Sequence, residues 1–345
     1  MIMQQTKDSD NQMTARFKET SANQKMSVIA SQFIIKNNAS LYKKKYPTGF
    51  VKLDNTLNGG LTAGLHCIGA ISSLGKSTFA MQIANHVAQT GNPVIIFSLE
   101  MEVVDLTAKA VSRQTFIDTP KDPHLAKSSD MLRSESIASK FSDQEWNVIS
   151  SAAEKIAETG ENITLVGCGA EPYSVEKIYR YVETYIDVYD KHPFIVVDYL
   201  QILDPPEKLK SASDKQIADY NLKRLKVLSD YNNLPIIIIS SFNRENYDAE
   251  VSFRSFKDSG NIEYSCDTVI GLQLKGTGAS GFNVDEAKQK YPRDVELKIL
   301  KQRYGQVGQK IEYKFYTIYN FFDECINGVI RRDYDNNEDD GTLCY

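Results

Sequence analysis

The sequence predicts an α/β fold in which a mostly parallel central sheet is flanked by helices. Two observations carry this prediction. Short runs of four or five apolar residues, rich in Val and Ile, alternate along the chain with longer amphipathic stretches. The short runs contain almost no polar residues, which is typical of parallel strands that are covered on both faces.

The predicted elements follow one another through the central part of the chain. Strands are expected at 65–69, 94–97, 163–166, 194–197, 236–239, 269–274, 295–300 and 311–318. Helices are expected at 77–89, 102–114, 143–159, 175–189 and 215–230. The first of these helices shows the reasoning, since Phe79, Ile83 and Val87 share one face and Gly91 follows as a stop signal.

The two ends of the chain differ from this central region. Residues 1–46 are rich in Gln, Asn, Ser, Thr and Lys, which predicts a polar N-terminal arm. Apolar residues recur at 26–41 as in an amphipathic helix, which would either pack on its own domain or dock on a neighbouring subunit. Residues 331–345 are acidic and predict a flexible tail. The folded domain is therefore expected at 47–330.

Composition and charge exclude several classes of protein. No apolar run approaches the roughly 18–20 residues needed to cross a bilayer, and the polar N-terminus does not resemble a secretory signal. The five cysteines lie far apart, which argues against a zinc module or a disulfide framework and favours a reducing, cytoplasmic location. With a net charge of −5, the chain would bind nucleic acid only through a local groove or loop.

A candidate phosphate-binding loop lies between the first predicted strand and the first predicted helix. The segment 70–77 reads Ala-Ile-Ser-Ser-Leu-Gly-Lys-Ser, which matches the P-loop pattern with Ala in place of the first Gly. Such a loop directs its backbone N–H groups and the N-terminus of the following helix at phosphate oxygens. Lys76 would reach the β- and γ-phosphates of ATP, and the Ser77 hydroxyl would bind Mg²⁺.

Two acidic residues follow other predicted strands. Asp198 ends the run Phe-Ile-Val-Val-Asp, the Walker B arrangement, in which the carboxylate orders the Mg²⁺ shell beside the P-loop. Glu100 follows the strand at 94–97, where a carboxylate can hold the attacking water in line with the γ-phosphate. Its position alone equally suits an acid that caps the next helix. The residues expected to bind the nucleotide are Ser72, Ser73, Leu74, Gly75, Lys76, Ser77, Thr78 and Asp198.

Several of these segments resemble a known family. Residues 48–54, followed by 59–61, are similar to the entry segment of RecA-type ring ATPases. Residues 97–101 and 198–201 are closer to the DnaB family of replicative helicases. The loop at 70–77 is also similar to helicase segments in primase-helicase proteins of mobile elements, which indicates the mobile-element or phage form of the family. The resemblance implies a RecA-like P-loop NTPase fold for the helicase ATPase domain. It also implies that Glu100 polarises the hydrolytic water, rather than capping a helix.

Two later segments resemble the DNA loop and the arginine-finger strand of the same family. Residues 259–263, followed by Asp267, carry the first likeness, and residues 301–305 carry the second. The resemblance implies that Arg303, with Lys301, reaches across a subunit boundary to the neighbour's γ-phosphate. Hydrolysis would then depend on how the subunits are arranged. Without the resemblance, both residues would be interpreted as the exposed side of a strand.

The family resemblance also assigns a DNA contact. Lys257, Asp258 and Gly260 would lie in a loop that faces the ring channel, where Lys257 supplies positive charge and Gly260 permits close approach of the main chain. The alternative for this stretch is an ordinary surface loop.

Three features depart from the family pattern. Ser241 stands where the family usually has a Gln that senses the γ-phosphate, so nucleotide coupling would be altered or Asn243 would substitute. Only about 46 residues precede the motor, too few for the N-terminal collar domain of DnaB helicases. Neither a primase domain nor a zinc module is recognisable.

The sequence therefore predicts an ATP-dependent DNA helicase motor that couples hydrolysis between the subunits of a ring to translocation on single-stranded DNA during replication. The expected cofactors are ATP and Mg²⁺. The expected partners are single-stranded DNA, further copies of the chain in a homo-oligomer that is expected to be a hexameric ring, and a primase or other replication protein. Two alternatives stay open: a RadA-type recombination ATPase, and a helicase-associated nucleotide-binding adaptor or loader.

Overall fold

The computed structural model describes residues 25–34, 43–120, 122–167, 173–206, 209–257, 259–326 and 329–330. The chain divides into two units, Met1–Lys44 and Lys45–Tyr345. In the first unit, helix α1 spans Met26–Gln32, and its residues Met26 and Ile29 are exposed. The helix expected at 26–41 is found in its first part, while residues 35–42 and the tail at 331–345 lie outside the described residues.

The second unit alternates strands with helices, as the sequence indicated. The strands are β1 Gly64–Ala70, β2 Val94–Ser98, β3 Ile163–Gly167, β4 Phe194–Asp198, β5 Pro235–Ser241, β6 Thr268–Leu274, β7 Arg293–Gln302, β8 Lys310–Tyr316, β9 Phe321–Ile326 and β10 Val329–Ile330. The helices are α2 Val51–Thr56, α3 Lys76–Gln89, α4 Val103–Asp118, α5 Ser129–Arg133, α6 Glu135–Ala138, α7 Asp143–Gly160, α8 Val175–Tyr189, α9 Asp214–Asn232, α10 Ser259–Ser265 and α11 Val284–Gln289.

The ten strands of the described chain form one sheet in the order β10-β9-β8-β7-β6-β1-β5-β4-β2-β3. Six of them, from β6 to β3, run parallel. Every residue of β1, β2 and β4 is buried, because helices cover both faces of the sheet there. The predicted mostly parallel sheet is confirmed.

The four strands β7 to β10 run antiparallel and extend the sheet on one side. The sequence indicated strands at 295–300 and 311–318, but it indicated neither their direction nor the presence of β9 and β10. In β8, Ile311 and Tyr313 are buried while Lys310 and Glu312 are exposed. This alternation is typical of antiparallel strands that face the core on one side only. The strand predicted to run to residue 318 ends at Tyr316, because a 3₁₀ turn follows at Thr317–Tyr319.

An aromatic cluster joins this antiparallel extension to the helix after the phosphate loop. The ring of Phe79 in α3 stacks on Phe50 with centroids 4.8 Å apart and meets Tyr313 and Phe322 edge-on at 5.4 and 5.2 Å. All four side chains are buried. Edge-to-face pairs add to the stabilisation that burial provides, so the cluster fixes α3 against β8 and β9.

No helix among the described residues combines the length and the apolar character that a membrane crossing would require.

Truncation of Phe79 should strongly destabilise the protein, whereas removal of a neighbouring hydroxyl should not. Phe79→Ala is expected to lower the free energy of unfolding by about 3–5 kcal/mol, because it leaves a cavity among buried rings. The matched change Tyr313→Phe should be neutral or stabilising, since the buried Tyr313 hydroxyl has no partner within the described chain. Urea denaturation of both variants measures the difference, and equal losses would contradict this description of the core.

Candidate active site

The phosphate loop at 70–77 lies at the edge of the sheet where the parallel strands end. It leaves β1 at Ala70, which pairs with Ser241 at the end of β5, and it leads into α3 at Lys76. On the other side of β5, strand β4 ends at Asp198. In parallel α/β sheets, ligands bind in the crevice outside the carboxyl ends of the strands. The predicted loop therefore occupies the position that nucleotide binding requires.

The backbone of this loop is held in a fixed curve. Ser73 and Gly75 have positive φ values of 62° and 87°. A Cβ atom on Gly75 would lie 2.7 Å from the ring of Phe315, so glycine is required by space as well as by conformation. From β7, the Arg293 guanidinium donates a hydrogen bond of 2.8 Å to the Ser73 carbonyl. These contacts preorganise the loop, in which backbone N–H groups are the donors expected to bind phosphate oxygens.

Lys76 is folded back over the loop. Its Nζ donates to the Ile71 carbonyl at 3.1 Å. Burial lowers the pKa of Lys76, and the carboxylates of Asp198 and Glu100 partly oppose this shift. A partly desolvated cation gains from an anionic ligand, because an interaction with phosphate replaces a single carbonyl contact.

Asp198 is the buried acid of the site. It lies beside Ser98 of β2 in the sheet register, and the Ser77 hydroxyl is within hydrogen-bonding reach of its carboxylate. Among the described residues, Asp198 Oδ1 has no hydrogen-bond partner. Burial, together with the nearby charge of Glu100, raises the pKa of Asp198 to about 6, although Ser77 and the neighbouring lysines oppose the shift. An orphaned carboxylate oxygen beside a serine hydroxyl suits a hard divalent cation.

Glu100 lies in the turn after β2 and is exposed. Its charge influences both Lys76 and Asp198, so these three groups share one site. The N-cap position of α4 is occupied by Glu102, without a side-chain cap bond. Glu100 is therefore not the N-cap of α4, and its carboxylate lies near Lys76 and Asp198 at the phosphate loop.

Lys109 was missed by the sequence analysis. It lies on α4, with Nζ 3.5 Å from the Met101 sulfur, and it is close enough to Asp198 and Glu100 for both carboxylates to act on its pKa. Burial lowers the pKa of Lys109. The sequence signal that could have identified Lys109 is a lysine between the apolar positions of an amphipathic helix that starts beside Glu100. This signal is weak, because lysines at such positions commonly extend their charged ends to solvent.

Lys301 and Arg303 do not approach the phosphate loop of their own chain. Strand β7 is antiparallel to β6, and Gln302 pairs with Thr268, which in turn pairs with His66 near the start of β1. Arg303 therefore lies at the edge where the parallel strands begin. The length of a seven-residue strand, roughly 20 Å, separates this edge from the loop. An arginine side chain cannot span that distance.

The predicted DNA contact lies beside the sensor position. Lys257 is exposed, and its backbone N–H donates to the Ser241 carbonyl at 3.1 Å. Asn243 Nδ2 donates to the Phe256 carbonyl at 3.3 Å, so its side chain ties the end of β5 to this segment. Gly260 belongs to α10, and Asp258 lies outside the described residues.

The fold and the phosphate loop together define a P-loop NTPase domain of the RecA type. The family model for the DnaB-like helicase C terminal domain matches residues 46–324. The chain therefore belongs to the DnaB-like helicase C-terminal domain family.

Sequence and structure comparisons agree with this assignment. The chain is 26% identical over 280 residues to the replicative DNA helicase DnaB of Geobacillus stearothermophilus, covering 80% of this chain and 56% of that protein. It is 26% identical over 286 residues to DnaB of Haemophilus influenzae, covering 80% and 54% respectively. The chain thus spans about half the length of the curated relatives it matches.

Two solved structures share the fold. One is the isolated ATPase domain of another protein, which superposes with a TM-score of 0.68 at 19% identity, covering 91% of this chain and 97% of that domain. A DnaB-like replicative helicase, described with its interactions with primase, superposes with a TM-score of 0.70 at 20% identity, covering 86% and 65% respectively.

The ionised form of Asp198 should destabilise the ligand-free protein. A carboxyl whose pKa rises from 3.8 to about 6 on folding binds a proton more readily in the folded state. The free energy of unfolding therefore falls as the pH rises through this window, by an amount on the order of 3 kcal/mol. Without nucleotide and Mg²⁺, Asp198→Asn should be more stable than wild type near neutral pH, and the difference should shrink as the pH falls to about 4.

Urea denaturation at several pH values measures this effect. Asp187→Asn, which changes an exposed carboxylate on α8, is the matched control and should show no such trend. A difference for Asp198→Asn that does not depend on pH would contradict the interpretation.

Proposed function

We propose that this chain is the ATP-hydrolysing motor of a replicative DNA helicase, which works as a ring on single-stranded DNA. The ATPase domain is assigned to residues 47–330. One observation carries the proposal: the phosphate loop, Asp198 and Glu100 converge at one edge of the sheet, while Arg303 lies at the opposite edge. A site with this division of residues is completed only by a second copy of the chain.

The nucleotide would be held by the loop from Ser72 to Thr78. Backbone N–H groups of the loop and the N-terminus of α3 bind the phosphates, and Lys76 moves from the Ile71 carbonyl to the β- and γ-phosphates. The Ser77 hydroxyl and the orphaned Asp198 oxygen suit a Mg²⁺ ion. When bound, Mg²⁺ neutralises phosphate charge and thereby favours attack at the γ-phosphate.

Glu100 is assigned to the hydrolytic water. Its carboxylate is exposed toward the site and is free of a capping role, so it can accept a hydrogen bond from a water placed in line with the γ-phosphate. Lys109 on α4 is close enough to Glu100 and Asp198 for its charge to balance part of theirs.

Arg303 and Lys301 would complete the neighbouring site. Because the two halves of the site lie at opposite edges of one domain, copies of the chain must associate head to tail, and such an interface closes into a ring when the rotation permits. The guanidinium then stabilises charge that develops on the γ-phosphate of the next subunit. This assignment favours a catalytic motor over a passive adaptor, since the chain retains the groups expected to act in hydrolysis: Lys76, Ser77, Glu100, Asp198 and Arg303.

Single-stranded DNA is assigned to the segment of Lys257, Asp258 and Gly260, in which Gly260 belongs to the first turn of α10 and not to a loop. Lys257 presents an exposed charge, and its main chain is bonded to the end of β5 next to the phosphate loop. A phosphate contact there can sense the nucleotide through Ser241 and Asn243, whose side chain holds the same segment. A primase is a candidate partner, supported only by a structural neighbour that was described with one.

Mixing two inactive variants should restore turnover if Arg303 acts on the neighbour. Lys76→Ala loses the phosphate-binding cation, and Arg303→Ala loses a group whose type contributes roughly 10³–10⁵-fold to hydrolysis in related ATPases. Each should be inactive alone. In a random equimolar mixture, about one quarter of the interfaces combine an intact loop with an intact Arg303.

Steady-state ATP turnover, measured with chains that are allowed to exchange, tests this expectation. Wild-type chain mixed with the double variant Lys76→Ala/Arg303→Ala serves as the control for exchange, because exchange lowers turnover from about one half to about one quarter of the wild-type value. If that control shows exchange but the two variants do not rescue each other, Arg303 does not complete a neighbour's site.

Lys257→Ala should weaken the binding of single-stranded DNA without removing DNA-free ATP turnover. The loss of one phosphate contact should flatten the dependence of log affinity on log salt by about 0.7. Fluorescence anisotropy across a salt titration measures the slope. Lys140→Ala, which removes another exposed lysine outside the loop, is the matched control. An unchanged slope for Lys257→Ala would place the DNA site elsewhere.

A further inference from the structure

Asp267 receives bonds from three separate parts of the domain. Its Oδ1 accepts from Arg303 Nη1 at 2.7 Å. Its Oδ2 accepts from Lys226 Nζ at 2.7 Å and from the Leu65 backbone N–H at 2.9 Å. Space for this carboxylate depends on Gly64, because a Cβ there would lie 2.8 Å from Oδ2. The side chain of Asp267 is only 11% exposed, so these donors replace most of its contact with water.

The segment that carries Asp267 also binds Lys301. Helix α10 follows Lys257 in the chain and ends at Ser265, two residues before Asp267. Lys301 Nζ donates to the Glu263 carbonyl in this helix. The backbone N–H of Arg303 donates to the Asp267 carbonyl at 2.9 Å. Both residues assigned to the neighbouring active site are therefore held by the segment that continues directly from the proposed DNA loop.

The pairing with Asp267 restrains Arg303. A guanidinium bonded to a carboxylate at 2.7 Å has one of its donors occupied and its charge partly balanced, so it stabilises developing phosphate charge less well. Release is nevertheless easy. The Arg303 side chain is 56% exposed, and Asp267 keeps Lys226 and the Leu65 N–H as partners after Arg303 has left. Neither charge would be left buried and alone.

We propose that Asp267 is a positioning residue that holds Arg303 in its own subunit and releases it when single-stranded DNA moves α10. DNA bound by one subunit then activates the ATP site of its neighbour. The inference rests on the proposed function, since it requires Arg303 to act across a subunit interface. It adds a specific route for DNA stimulation, from the loop at Lys257 through α10 and Asp267 to Arg303.

Asp267→Asn should uncouple turnover from DNA. The substitution keeps the size of the side chain and removes the charge that holds Arg303. DNA-free kcat is expected to rise about fivefold or more, while kcat at saturating single-stranded DNA and the KM for ATP stay unchanged. The ratio of the two kcat values therefore falls. Lys226→Met is the matched control, because it removes the other cation from the same carboxylate and leaves the Arg303 pair intact. If Lys226→Met raises DNA-free turnover equally, the effect is structural and the inference is wrong.

Mixed rings separate this inference from the proposed function. Lys76→Ala chains donate an intact Arg303, and Arg303→Ala chains donate an intact phosphate loop. Asp267→Asn is added only to the Lys76→Ala chain. Higher DNA-free turnover in the mixture that contains Asp267→Asn supports the restraint. Equal turnover with and without that substitution overturns it while leaving the trans arginine in place. Absence of turnover in both mixtures removes the trans arginine and the inference together.

Hydrogen exchange on the wild-type chain provides a test that does not depend on how Asp267→Asn folds. Saturating single-stranded DNA should reduce the protection of the Arg303 amide, which is bonded to the Asp267 carbonyl. Unchanged protection in peptides covering 300–305, with DNA bound, would overturn the proposal.

Discussion

Parallel pairing is the constraint on which the rest of this structure depends. Strands β1, β5, β4 and β2 share one direction, so the segments that leave them meet at one edge of the sheet. The phosphate loop, Asp198 and the turn with Glu100 owe their proximity to this geometry, although about 120 residues of sequence separate the loop from Asp198. A polyphosphate needs several donors and cations in one place, and the parallel pairing of the strands brings them together.

Bringing these groups together has an electrostatic cost. Asp198 and Glu100 lie close together beside the phosphate loop, and burial raises the pKa of Asp198. Burial also lowers the pKa values of Lys76 and Lys109. Such a site is less stable empty than filled, because ligands supply the missing counter-charges. Functional sites commonly keep such local costs, and the packed aromatic rings around Phe79 offset them by fixing α3 and the loop backbone.

The sequence predicted the features that depend on neighbouring residues. The loop at 70–77, the strand that ends at Asp198 and the helix that begins at Lys76 each have a local signature, and the structure has them in those places. The direction of β7 and β8 was not predictable, because it depends on which strand each one pairs with. The bonds of Asp267 to Leu65, Lys226 and Arg303 were also not predictable, because the bonded residues are 202, 41 and 36 positions apart in the chain. Hydrophobic periodicity indicates local structure and does not indicate contacts of that kind.

Strand β7 connects the phosphate loop with Arg303, the two parts of the proposed active site, and its sequence does not indicate this connection. Its first residue, Arg293, bonds to the Ser73 carbonyl in the phosphate loop of its own chain, and Arg303 follows its last residue. In the proposed ring, one extended strand therefore spans the interval between consecutive nucleotides. In such a ring, the strand that contacts a subunit's own phosphate loop would lead to a single interface, so the nucleotide state of each subunit would be linked to one neighbour and not to the other.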